Sequence, residues 1–184
     1  MKIKIYFISL LLFFSITSAT LYAQKSLPSG KIMAEAYQKA AKEKKNVIVV
    51  FKASWCGWCK KMIAAINDES CRELFNKYYV ITELTVDERG ENKNLENVGA
   101  DIIRKKYKGE KAGLPFWLIM DKDGKKLEDS YMRKENQSAD EPGESIGCPA
   151  SDEEVMAFCI KLKNTSKLND QEIALIAERF KKNR

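Results

Sequence analysis

The sequence predicts an α/β chain with a central mixed sheet, a parallel core plus a C-terminal antiparallel hairpin. Helices flank the sheet and an extra helix closes the chain. Three observations carry this. Runs rich in β-branched and aromatic residues, Val47–Phe51, Tyr79–Val86 and Phe116–Met120, are separated by stretches of helical periodicity, the order that joins parallel strands through helices. The turn sequence Asp121-Lys122-Asp123-Gly124 links Phe116–Met120 to Lys125–Tyr131 as a hairpin. Val47–Phe51 is apolar throughout, as a strand buried on both faces must be.

The chain has 184 residues. Residues 1–23 read as a secretory signal peptide rather than as fold: Lys2 and Lys4 precede an apolar stretch, Ile5 to Phe14, and Leu21-Tyr22-Ala23 offers a small residue before Gln24. The apolar stretch is far short of the ~20 residues that span a bilayer, so the mature chain is expected to have no transmembrane span. A retained N-terminal anchor is the alternative. Residues 24–184 then form a single domain, with a core of about 32–163 and a C-terminal helical extension, 164–184.

The elements follow in order. Ile32 to Lys45 has an apolar face of Ile32, Ala36, Tyr37, Ala40 and Ala41, and predicts a helix. The strand Val47–Phe51 runs through a tight turn into a helix from Cys56 to about Ile66, with Met62, Ile63 and Ile66 inward. Ser70 to Lys77 is a short helix carrying Leu74 and Phe75, and Tyr79 to Val86 is the second strand. Glu88–Asn97 is polar and reads as a surface loop. Val98 to Lys108 is helical, with Ile102, Ile103 and Tyr107. After the hairpin, residues 133–147 read as a long loop. Ser151 and Glu154 make a capping box for a helix to about Lys163, with Val155, Met156, Phe158, Cys159 and Leu162 on its apolar pattern. Asn169 or Asp170 starts the last helix, which carries Ile173, Leu175, Ile176 and Phe180.

The chemistry lies in Trp55-Cys56-Gly57-Trp58-Cys59-Lys60. Two cysteines three apart at the start of a helix are neighbours, with Cβ atoms about 5–6 Å apart. A small adjustment reaches the ~3.5–4.5 Å that a disulfide needs. Cys56 at the helix N-terminus meets unpaired N–H groups and the macrodipole, which favour its thiolate and make it the attacking sulfur. Lys60 and Lys61 add positive charge. Cys59, one turn further in, is expected to be more buried and to resolve the mixed disulfide.

Other uses of the pair fare worse. Zinc needs two more ligands at short spacing, and the chain has no histidine and no second C-x-x-C. A c-type haem needs a histidine where Lys60 stands. A purely structural disulfide is possible, but a three-residue step closes almost no loop and stabilises little. No metal and no cofactor is implied.

Without Lys2 and Lys4 the net charge falls from +6 to +4, with lysines scattered among acids. No basic patch interleaved with aromatics is present, so nucleic acid is not an expected partner. Export places the five cysteines in an oxidising compartment. Cys71, Cys148 and Cys159 remain after the first pair and are read as structural or incidental, Cys159 within the core.

Together, Val47–Phe51, the W-C-G-x-C-K element, Val86-Asp87 and Gly113-Leu114-Pro115 resemble the thioredoxin family over roughly Ile32 to Lys163. Within it the chain looks like the exported bacterial thioredoxin-like proteins related to thiol–disulfide interchange proteins. The resemblance implies a thioredoxin fold and identifies Pro115 as a cis-proline facing the dithiol. Leu114 then offers its backbone to a substrate peptide as an added strand would. It also implies that Trp55 shields the disulfide and that Trp58, beside Gly57, is exposed on the docking surface.

One position departs from the family. Thioredoxins bury an Asp six residues before the first cysteine, where this chain has Val50. Glu83, on the neighbouring strand, stands where the family carries a buried lysine. Glu83 is thus a candidate relocated carboxylate that takes the Cys59 proton; Lys52 is the other candidate for tuning the pair. A solvent-facing strand glutamate is the plain alternative.

The expected function is an exported thiol–disulfide oxidoreductase, periplasmic or secreted. It would act on disulfide-containing exported proteins and draw electrons from a membrane thiol reductant donor. The rival is a non-catalytic binding or partner module whose dithiol only scaffolds the fold.

Overall fold

The structure, a computed structural model, describes residues 26–184. The expected signal peptide lies outside the described residues. Helix α1 (Ser29–Glu43) leads into strand β1 (Asn46–Lys52), then α2 (Gly57–Ile66), α3 (Arg72–Tyr78) and β2 (Tyr79–Thr85). A 3-10 turn at Gly90–Leu95, α4 (Ala100–Lys106) and a second 3-10 turn at Gly109–Lys111 lead to β3 (Phe116–Met120) and β4 (Lys126–Asp129). The short strands β5 (Tyr131–Met132) and β6 (Glu144–Ser145) precede α5 (Asp152–Asn164) and α6 (Asp170–Lys181).

The four-stranded sheet has the order β2-β1-β3-β4. It is mixed, as the sequence predicts, but its parallel part is confined to β1 and β2. The chain leaves β2 at Thr85 and, after α4, enters β3 at Phe116 opposite Phe51, at the same end of the sheet, so β3 pairs with β1 antiparallel, and β4 with β3 antiparallel.

Residues 47–51 are fully buried because both faces of β1 are covered. Successive side chains of a strand point to opposite faces. Ile48 and Val50 accordingly join the cluster formed with Met62 and Ile66 of α2, Phe75 of α3, Phe158 of α5 and Phe180 of α6. Val47, Val49 and Phe51 join the other cluster, with Met33, Ala36 and Ala40 of α1 and Ala100 of α4. Phe158 and Phe180 pack at a tilt with centroids 4.9 Å apart, and Phe75 lies 6.2 Å from Phe180. The last helix is therefore seated in the same core as the first strand; deleting one such ring typically costs about 3–5 kcal/mol.

Several inward faces differ from the sequence reading. Met33, not Ala41, completes the buried face of α1. Met156 of α5 and Leu175 of α6 point outward, 61% and 47% exposed. Each lies beside the apolar stripe, so periodicity alone places it within a turn's width of the core. Ser151 and Asn169 cap α5 and α6 with reciprocal capping boxes, closed by Glu154 and Glu172.

The stretch 133–147 is not all loop. β6 pairs with β5, Tyr131 opposite Ser145. Gly143 permits that approach: a Cβ there would sit 1.9 Å from the Met132 carbonyl oxygen. Arg133 anchors the segment through two 2.7 Å bonds to buried Asp129 and one to the Glu141 carbonyl.

Candidate active site

The site is built at the end of β1. The strand stops at Lys52, and the Ala53 carbonyl accepts a hydrogen bond from the Cys56 N–H at 3.1 Å, which turns the chain. Cys56 is the N-cap of α2, extended at φ −79° and ψ 103°. Its Sγ accepts from the Cys59 N–H at 3.1 Å, the position that a Ser or Asp oxygen usually fills. Cys56 and Cys59 form a disulfide with Cα atoms 5.3 Å apart. The two are buried almost equally, 4% and 1% exposed, so the expected contrast in burial is slight. With Ala53 they form a small apolar cluster on which Leu114 packs. The Leu114–Pro115 bond is cis, as the resemblance implies, and Pro115 is buried.

The loop after β2 holds the turn from outside. Trp55 is 44% exposed; its indole N–H donates to the Asp87 carbonyl at 2.8 Å, and the Arg89 guanidinium lies 4.0 Å from its ring centroid. Asp87 in turn receives two bonds from Arg104, at 2.6 and 3.0 Å. Glu88 is the main departure from the sequence reading. Expected in a surface loop, it is 2% exposed and accepts from both the N–H and the hydroxyl of Ser54, each at 2.6 Å. A buried carboxylate thus holds Ser54, two residues before the first cysteine. Nothing in its local sequence separates it from the other acids of 88–97.

Two clefts adjoin the pair. One, of about 350 Å³, is lined by Lys52, Ser54, Cys59, Lys60, Ile63 and Glu83. Glu83 is the cross-strand partner of Val50, so its side chain leaves the sheet on the face that α2 covers. Lys52, two residues on from Val50, shares that face and pairs with Glu83 at 2.5 Å. The structure thereby brings Glu83, Lys52 and Cys59 into one space.

The other cleft, a groove of about 230 Å³, is lined by Trp58, Gly113, Leu114, Ile146, Cys148 and Glu154 among others. Trp58 is 47% exposed, and the Lys61 ammonium lies 4.3 Å from its ring centroid. Gly57 beside it is open, with nothing within 4 Å of a Cβ built there. Cys71, Cys148 and Cys159 are free and buried. Burial pushes the Cys148 and Cys159 thiols up to about 11.

Among the described residues, no three His, Cys, Asp or Glu side chains come together as a metal centre would require. No helix among them is long and apolar enough to cross a membrane.

A sequence model of the family described as thioredoxin-like matches residues 31–122, half of the chain. None of the curated proteins compared with it matches. Among solved structures the chain is similar to a disulphide isomerase from Xylella fastidiosa Temecula1, at 18% identity over 59% of this chain and 75% of that one, TM-score 0.45. It is similar to the DsbH oxidoreductase at 21% identity, over 74% and 82% of the two chains, TM-score 0.42. A third likeness is to the oxidised C-terminal domain of Neisseria meningitidis DsbD, at 21% identity, over 56% and 84%, TM-score 0.38.

Proposed function

Because the chain belongs to the thioredoxin-like family and carries the thioredoxin fold, we propose that it is a thiol–disulfide oxidoreductase acting on disulfides of exported proteins. The observation that carries this reading is the Cys56–Cys59 disulfide placed across the first turn of α2, with Cys56 as the N-cap. Reduced, Cys56 is the thiolate that the helix N-terminus stabilises. It attacks one sulfur of a substrate disulfide. The substrate S–S bond breaks, a Cys56–substrate bond forms and the other substrate sulfur leaves as a thiolate. Cys59 loses its proton to Glu83 across their shared cleft and attacks the Cys56 sulfur, expelling the second substrate thiolate. Two electrons have passed to the substrate, and the pair is again a disulfide. A membrane thiol reductant donor restores the dithiol by the same exchange in reverse.

Trp58 and Leu114 line the groove in which the substrate chain beside the attacked disulfide would lie, with Pro115 fixing that edge. Lys60 adds positive charge on the cleft side. Lys2, Lys4 and the apolar residues that follow support export to the periplasm or beyond.

Turnover tests the reading. The chain should reduce insulin and dithionitrobenzoate with dithiothreitol as the electron source, and Cys56→Ser should abolish both. A wild-type chain that turns over neither is a binding module with a scaffolding disulfide.

A further inference from the structure

We propose that Asn183 is a positioning residue of the exchange face, linking the two walls of the groove beside the Cys56–Cys59 pair. The inference rests on the reading of that pair as an exchange centre. Asn183 lies beyond the stretch that the family model matches and past Phe180, the last buried aromatic of α6. It is nonetheless 4% exposed. A carboxamide is buried at a cost unless its polar atoms are bonded, and here every one is. Nδ2 donates to the Pro149 carbonyl at 3.2 Å and to the Cys148 Sγ at 3.4 Å. Oδ1 accepts from Arg179 at 3.1 Å, while Arg179 also holds Asp68, just past α2, at 2.6 Å. The main-chain oxygen of Asn183 accepts from Lys61 Nζ at 2.8 Å.

That last bond reaches the docking surface. Lys61 follows Trp58 by three residues on α2, and its ammonium lies 4.3 Å from the indole centroid. A lysine head group is ordinarily mobile on a four-carbon stem. Held by the Asn183 carbonyl, it becomes a fixed cation against one face of Trp58 and restricts where the ring can lie. Trp58 lines the groove, and Cys148, bonded to the other end of Asn183, lines it too. One buried residue therefore sets the position of both: its carboxamide fixes where its main-chain oxygen lies and contacts Cys148, and that oxygen holds Lys61. The hydrophobic seating of α6 does not require this, since Ile176 and Phe180 already supply it.

Three variants and two readouts test the proposal. Asn183→Ala removes the side-chain anchors, Lys61→Met removes the cation, and Lys61→Arg preserves it. For Asn183→Ala and Lys61→Met the KM for insulin should rise about two- to five-fold, the scale of an exposed cation–π contact, with kcat changing less. The loss in kcat/KM should be larger for insulin than for dithionitrobenzoate, which is too small to span the groove. The double variant should match the larger single effect instead of their product, because the residues act in one chain of contacts. Lys61→Arg should restore the insulin KM. Independently of turnover, in a Trp55→Phe background acrylamide quenching reports Trp58, since Trp117 is fully buried. Quenching should increase in Asn183→Ala and Lys61→Met. Equal losses on both substrates, multiplicative effects in the double variant, or unchanged quenching would overturn the proposal. A wild-type chain without any turnover overturns the exchange reading instead, and the quenching arm then decides the Trp58 link alone.

Discussion

Val50 and Glu83 face each other across the parallel pair β1–β2, and only one of them is charged. Val50 is fully buried beneath α2, at the position where the resemblance places a buried aspartate. Glu83 carries a carboxylate from the neighbouring strand to the same face, paired with Lys52 and opening onto the cleft that reaches Cys59. The acid has moved one strand sideways and toward the edge of the sheet. Its distance from the deep core lets it keep an ionic partner without full desolvation, which a charge at Val50 could not.

Glu83→Gln should leave attack by Cys56 nearly intact and slow resolution by Cys59, by about 10²-fold or less, the usual scale of general-base effects. Stopped-flow decay of a mixed disulfide formed on Cys56 measures it. Val50→Asp in the Glu83→Gln background should recover part of the rate. Decay at the wild-type rate in Glu83→Gln would make Glu83 a strand residue whose partner is only Lys52.

The two cysteines should divide their roles by position. Cys56 caps α2, while Cys59 lies one turn in and faces the Glu83 cleft. In the reduced chain, iodoacetamide at pH 6–7 should label Cys56 first, followed by mass spectrometry of the peptide. Cys59→Ser should trap mixed disulfides with exported proteins, and Cys56→Ser should not. Equal labelling of the two thiols would refute the assignment.

The sequence carries the parts of this site whose signal is local. A C-x-x-C after an apolar strand reads directly, because the spacing itself places the sulfurs. The capping box at Ser151 and the helix start at Asn169 read for the same reason. Glu88, Arg104 and Asn183 do not. Each is polar in a polar stretch, and each is buried by a partner distant in the chain: Ser54, Asp87 and Pro149. Burial of a polar group depends on hydrogen bonds that only the assembled fold supplies, so periodicity assigns such residues to the surface. The antiparallel β3 escapes for a related reason. Alternation of strands and helices fixes which elements are joined, not the end of the sheet at which the chain re-enters it.

Glu88→Ala should destabilise the chain by about 1–2 kcal/mol, since the Ser54 N–H and hydroxyl both lose their bonds to a buried carboxylate. Glu88→Gln keeps an oxygen toward that N–H and should lose less. Because Ser54 lies between β1 and Trp55, turnover should fall in the same order. Urea unfolding of oxidised protein reads the first effect and insulin reduction the second. An alanine variant as stable as wild type would mean that Ser54 finds water instead.

The buried thiols Cys148 and Cys159 should make the fold sensitive to alkali. Burial raises each from 9.0 to about 11, Lys61 and Lys181 offsetting only part of the effect. A folded pKa above the unfolded one means that the native state holds its proton longer. The stabilisation is therefore complete below about pH 9 and is lost as pH rises from there through about 11. At pH 10 each thiol should have cost the native state on the order of 1 kcal/mol relative to pH 8. Below pH 9 both should also resist alkylation in folded protein and react on unfolding, because the thiolate is the nucleophile. The check is the slope of urea-unfolding stability against pH from 8 to 10.5, compared with Cys148→Ala/Cys159→Ala. Removing the thiols changes the absolute stability through packing, but only loss of titration flattens the slope. An identical slope in the variant would place the alkaline sensitivity elsewhere, with Tyr37, raised by burial to about 12, the next group to replace.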